Sequence, residues 1–218
     1  NQGIEEYKRT AGAVLLDVRT PQEYQEGHIP ESKNVPLQQL NNVVSVVKNT
    51  EIPLVFMTYA NVVFSYGTER FIKRAAEIGM DGLILPDVPF EEKEEFDRVC
   101  REYGLDLISL IAPTSHDRIR MIAKEASGFI YCVSSLGVTG TRSAITTDIG
   151  AMVGLVKEVT DVPCAVGFGI STPEQAAKMC ESADGAIVGS AIVKICAEYG
   201  KDCVEKVEEY VKSMVGAI

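Results

Sequence analysis

Three glycine-containing turns stand in the second half of the chain, "SSLGVTGTR" (134–142), "GFGISTPE" (167–174) and "GSAIVK" (189–194), and each follows a short apolar run. Small residues let backbone N–H groups come close to a ligand. A helix beginning at Ser190 would aim its unpaired amides and the positive end of its dipole at the same place. The chemistry such a group can do is to hold an anion, and above all a phosphate. One turn of this kind also serves as a plain strand-to-helix connection. Three after consecutive strands point instead to a phosphate cradle.

The other reactive residue types are sparse. Cys100, Cys132, Cys164, Cys180, Cys196 and Cys203 fall singly in apolar strands or helices, and His28 and His116 are the two histidines. Without C-x-x-C pairs or nearby histidines, no metal site and no cofactor are expected, and the thiols read as reduced packing groups. Asp17 and Arg19 end the first strand candidate and would order their own loop. Asp87 in "LPDVPFEE" reads as a helix-entry or subunit-contact residue, His28 as a turn-packing residue and His116 as part of a helix start. Lys194 lies inside the last helix and reads as a solvated side chain.

These residues need a frame. Apolar runs at 14–18, 33–35, 53–59, 82–87, 106–112, 128–134, 163–168 and 185–190 give eight strand candidates, each nearly continuous in apolar character, as in parallel strands covered on both faces. Helical periodicity falls between them. "TERFIKRAAEIGM" puts Phe71, Ala75 and Ile78 on one stripe, and "FEEKEEFDRVCREYG" does so with Phe96, Val99 and Tyr103 before Gly104. Thr172 reads as an N-cap, with Pro173 at the first helical position and Glu174 after it. Eight strand–helix units in 218 residues predict a single α/β domain (1–218), a closed or nearly closed (βα)8 barrel. The alternative is an open, doubly wound parallel sheet.

Composition narrows the partners. Acidic residues outnumber basic ones 31 to 21, for a formal charge of −10, and no basic run could track a phosphate backbone or an anionic membrane. Nucleic acid is therefore not expected. No apolar stretch approaches the roughly 20 residues that cross a bilayer, and no signal segment opens the chain, so a cytoplasmic protein is expected. The sequence starts at Asn1, from which processing or a boundary is expected to have removed an earlier start.

From about Ile52 to Met214, roughly three quarters of the chain, the order and spacing of "MTYANVVFSYG", "LILPDVPFEE", "LIAPTS", "GFIYCVSSLGVTGTR", "GFGIST" and "AIVGSAIVKI" resemble the tryptophan synthase α-subunit family. The resemblance implies a barrel that cleaves indole-3-glycerol phosphate by a retro-aldol reaction to indole and glyceraldehyde 3-phosphate. It also implies a β-subunit partner. It places phosphate contacts on Gly140, Gly169, Gly189 and Ser190, with Phe168 beside them. Tyr59 and Tyr131 would line the indole pocket, and Thr139 would belong to a loop that closes over substrate.

The first 50 residues depart from that pattern. The family's second strand ends in a glutamate within an "E-L-G-x-P-F-S-D-P" type stretch, followed by a loop aspartate, and these carboxylates do its acid–base work. Neither motif is present, so no catalytic residue is assigned. Instead "LLDVR" and "GHIPESKNVP", within 12–40, resemble the first half of a rhodanese-type sulfurtransferase domain. Rhodanese chemistry needs a low-pKa cysteine in a loop of amides. "MTYANVV" holds that place without a thiol, and Cys100 reads as a helix-packing residue. The expected protein is a chimera, natural or engineered, with a rhodanese-like 1–50 and an α-subunit-like 51–218. It should bind indole-3-glycerol phosphate or inorganic phosphate with little or no lyase activity. An engineered scaffold without function, or a sulfurtransferase, are the alternatives. In a rhodanese the strand after "KNV" lies beside "VLLDV", whereas a barrel runs in sequential order, so pairing near the junction separates the two folds.

Overall fold

The computed structural model describes residues 52–133, 149–167 and 169–218, together with two short strand pieces, β1 (Leu16–Asp17) and β2 (Lys33–Asn34). The elements then run β3 (Val55–Met57), α1 (Ala60–Tyr66), α2 (Thr68–Ile78), β4 (Gly82–Ile84), α3 (Glu94–Tyr103), β5 (Asp106–Leu107) and β6 (Ser109–Ile111). They continue α4 (His116–Lys124), β7 (Ile130–Val133), α5 (Ile149–Lys157), β8 (Cys164–Gly167), α6 (Pro173–Cys180), β9 (Gly185–Ala186), α7 (Ser190–Tyr199) and α8 (Cys203–Val215). Every described strand pairing is parallel. All eight strand candidates contain a strand piece. The fifth holds two, since Asp106–Leu107 pairs with β4 while Ser109–Ile111 pairs with β7. At the junction, Leu16 of β1 faces Lys33 of β2. Among the described residues the partner of β3 is β4.

The chain divides into two compact units, Asn1–Leu107 with Cys196–Glu208, and Ile108–Ile195 with Glu209–Ile218. In the first, β3, β4 and β5 lie in sequential order. Its core is aromatic. The stripe on α2 buries Phe71, Ala75 and Ile78 as the sequence predicts, and the Phe71 ring meets Phe56 at 6.0 Å and the edge of Tyr66 at 5.8 Å. Phe96 and Val99 of α3 are buried in the same cluster. Each fully buried phenylalanine contributes about 1.5–3 kcal/mol by leaving water. Cys100, also in this core, has its thiol pushed up to about 12 by burial first and by the neighbouring Asp97 next. A thiol so placed carries almost no thiolate near neutral pH, which fits a packing role.

The second unit orders its strands β6-β7-β8-β9. All four residues of β7 are buried, as expected for a strand covered on both faces. Its interior is built from smaller side chains, among them Ile111, Ile130, Cys132, Cys164 and Val166. Cys132 shares a hydrogen bond with Cys164, and that bond and burial together drive the Cys132 thiol far above its ordinary value. All six cysteines are free thiols.

At the N-terminal ends of their strands the two units use the same device. Asp81, just before β4, donates its amide to the Leu54 carbonyl at 2.8 Å and accepts the Leu54 amide on its carboxylate at 2.7 Å. Asp184, just before β9, does the same with Cys164, at 2.9 and 2.7 Å. A short side-chain acceptor there satisfies an amide that the strand ladder leaves over. Among the described residues no helix is long and apolar enough to cross a membrane.

Candidate functional site

β8 and β9 lie side by side, with Ala165 facing Gly185 and Val166 facing Ala186, and the Ile187 amide extends the ladder to the Val166 carbonyl at 2.7 Å. Because the strands are parallel, the turns that leave them emerge at the same end. The turn after β8 holds Gly169, whose φ of 86° lies in the left-handed region that favours glycine. It closes on α6 through a capping box in which the Gln175 amide donates to Thr172 Oγ1 at 3.3 Å and the Thr172 amide donates to Gln175 Oε1 at 3.2 Å. Thr172 is therefore the N-cap and Pro173 the first helical residue, as the sequence predicts.

The turn after β9 runs straight into α7. The Gly189 carbonyl accepts the Val193 amide at 3.1 Å, which makes Gly189 the cap and leaves the amides of Ser190 and its successors facing out of the helix end. Gly189 and Ser190 are both exposed. The first turn of α7 carries no acidic residue, whereas that of α6 carries Glu174. The positive end of α7 thus has no acid in its own first turn. Lys194 is exposed, as expected.

Tyr131 is the second residue of β7, and only 7% of it is exposed. It sits opposite Ala165, and its ring reaches two residues further along β8. A Cβ built on Gly167 would lie 2.5 Å from Tyr131 Cε2 and 2.6 Å from its hydroxyl oxygen. Gly167 is thus the seat of the ring, and the phenol, desolvated there, titrates above its ordinary value. Sequence reading missed this residue. The first glycine of "GFG" was the available sign, and it lies two positions past the tyrosine's strand neighbour.

Tyr59 belongs to the first unit. It occupies the N-cap position of α1 with extended backbone and is 60% exposed. Its own side chain makes no cap bond; the Ala60 amide donates instead to both oxygens of Asp87, at 3.0 and 3.1 Å. Asp87 comes from the turn after β4, so the helix-entry role predicted for it is real, but the helix it serves is α1. The structure therefore groups Tyr131, Gly169, Gly189 and Ser190 on neighbouring strands and turns of one unit. Thr139, Gly140 and Phe168 lie outside the described residues. Among the described residues no cluster of histidine, cysteine and carboxylate side chains could hold a metal ion.

Parallel strands alternating with helices, with glycine turns leaving adjacent strands at one end, define the class: an α/β protein of the (βα)8 type. The family model for the tryptophan synthase alpha chain matches residues 29–218. The alpha chain of Lacticaseibacillus casei is 45% identical over 186 residues, covering 85% of this chain and 70% of that one. The alpha subunit of Campylobacter jejuni, 36% identical, superposes with a TM-score of 0.69 over 78% of this chain and 70% of its own. The tryptophan synthase of Mycobacterium tuberculosis, 32% identical, gives 0.74 over 84% and 69%. The chain belongs to the tryptophan synthase alpha chain family. The match begins at residue 29, earlier than the Ile52 suggested by the motifs, and so takes in residues 29–40 of the rhodanese-like stretch.

Proposed function

We propose that this chain is an alpha-chain barrel that retains a site for the phosphate of indole-3-glycerol phosphate but cleaves it slowly or not at all. The observation that carries the reading is the α7 terminus, with Gly189 at the cap, Ser190 behind it and no acid in the first turn, beside the Gly169 turn of the paired strand. Tyr131, seated on Gly167, offers an apolar wall with a polar tip for an indole ring. Cleavage breaks the bond between the indole ring and the glycerol phosphate chain, which requires a proton delivered to the ring carbon and one taken from a chain hydroxyl. The family's two carboxylate motifs are missing from this sequence, and each lost proton-transfer group costs about 10² to 10⁴ in rate. A rhodanese-like first segment (1–50), natural or engineered, accounts for that loss. A β-subunit partner follows from the family, and its docking belongs to the same proposal.

Calorimetry with inorganic phosphate and with indole-3-glycerol phosphate, alongside an indole-release assay with and without a β subunit, tests this. Binding of both ligands with indole release at least ~10²-fold below an ordinary alpha chain is expected. Release at ordinary enzyme rates refutes the impairment. Absence of phosphate binding refutes the site and favours a scaffold without function.

A further inference from the structure

The Gly169 turn is held from outside its own strand and helix. Tyr210 of α8 donates its hydroxyl to the Ser171 carbonyl at 2.9 Å, across 39 residues of sequence. The same residue is fixed from the other side: Gln175 Oε1 accepts the Ser171 amide at 2.8 Å and the Ser171 hydroxyl at 3.2 Å. Ser171 is therefore tied at carbonyl, amide and side chain, two positions after the left-handed Gly169 and one before the Thr172 cap. Tyr210 is half-buried, and desolvation keeps its phenol protonated well past neutral pH, so it is a permanent donor.

We propose that Tyr210 is a positioning residue for phosphate recognition, holding the Gly169–Thr172 turn in the geometry that presents the Gly169 amide to the anion. This rests on the phosphate reading of the site above. A glycine in a free turn samples many conformations, and a ligand that needs one of them binds more weakly by the fraction of time the others are occupied. The capping box restrains the turn on the helix side. The Tyr210 hydroxyl reaches the turn from another element, α8. Removing it leaves α8 packed, since the ring remains, and releases the carbonyl alone.

The test compares the unmodified chain, Tyr210→Phe and Gly189→Asp in full-length form, titrating each with inorganic phosphate by calorimetry and following amide hydrogen exchange at 169–172. The expected result is phosphate binding weakened about 3- to 10-fold in Tyr210→Phe, the range of one lost hydrogen bond. Exchange at Gly169–Thr172 should speed up while exchange in the β8 strand is unchanged. Equal phosphate affinity in Tyr210→Phe and the unmodified chain overturns the positioning role while leaving the site intact. If the unmodified chain itself binds no phosphate, or Gly189→Asp binds it equally well, the site reading fails and the proposal with it. A uniform loss of exchange protection throughout the second unit would make the bond merely structural and also overturns it.

Discussion

Two helix beginnings in this molecule are built on the same plan and filled differently. α1 starts after β3, and the Asp87 carboxylate from the next turn sits on its first amide. α7 starts after β9, capped by Gly189, with no acid in its first turn. Each terminus carries partial positive charge that must be met by an acceptor. In α1 the chain supplies the anion itself, and Tyr59 stands exposed beside it. In α7 the first turn supplies none. The opposite ends of the same strands show no such contrast, since Asp81 and Asp184 close β3–β4 and β8–β9 with matching bonds. In each unit, then, the bonds at the strand starts match, while the helix starts differ in what meets their amides.

Exchanging the two fillings breaks that comparison most directly. Gly189→Asp puts a carboxylate at the α7 cap, where a Cβ has open space. It should leave stability level or slightly raised, because aspartate is a good cap, while phosphate affinity falls by at least ~10-fold through like charge at contact range. The reciprocal Asp87→Ala should cost about 0.5–2 kcal/mol in denaturant unfolding, the value of a lost cap, with phosphate affinity unchanged. Should Asp87→Ala weaken phosphate binding as much as Gly189→Asp does, the two termini are not functionally distinct.

The seat of Tyr131 sharpens the contrast in a different way. Tyr59 is a tyrosine in the open, and Tyr131 is one wedged over a glycine. Gly167→Ala forces the ring aside and should cost about 1–3 kcal/mol by overpacking, with loss of indole-3-glycerol phosphate binding exceeding any loss of binding to phosphate alone. Pairing it with Tyr131→Leu should recover stability without recovering the indole preference. A Gly167→Ala protein of unaltered stability would mean that the ring has room to move.

Much of this frame was legible in the sequence, for identifiable reasons. Buried parallel strands are apolar throughout, so eight runs marked eight strand positions, and Phe71, Ala75 and Ile78 marked a helix face because burial repeats every 3.6 residues. The Thr172 cap was readable because its partners are local. What escaped depended on residues far apart in the chain. Asp87 serves a helix 27 positions back, Tyr210 a turn 39 positions back, and the fit of Tyr131 on Gly167 requires the β7–β8 register. The break of the fifth run into β5 and β6 likewise depends on which neighbour each half pairs with. At the site, glycine spacing marked Gly169, Gly189 and Ser190, but which helix end already held a carboxylate could not be read without the fold.

The smallest expected effect concerns the end where the two regions agree. Asp184 accepts Lys157 Nζ at 2.5 Å and the Cys164 amide, and these contacts, the lysine first, hold its carboxyl below the usual range. A carboxyl with a depressed folded pKa stabilises the protein fully above its unfolded value of about 3.9, and that contribution disappears as pH falls through the folded value. Asp184→Asn should therefore be less stable than the unmodified chain near pH 7, by under ~1 kcal/mol because the pair is half-exposed and screened. The gap should stay constant down to about pH 4 and close below it, as the carboxyl takes up its proton in the unmodified chain. Raising the salt concentration should narrow the gap at pH 7 by weakening the Lys157 pair, leaving the part due to the Cys164 amide. A gap that persists unchanged to pH 2 would mean that the shape of the side chain, rather than its charge, closes the β8–β9 end.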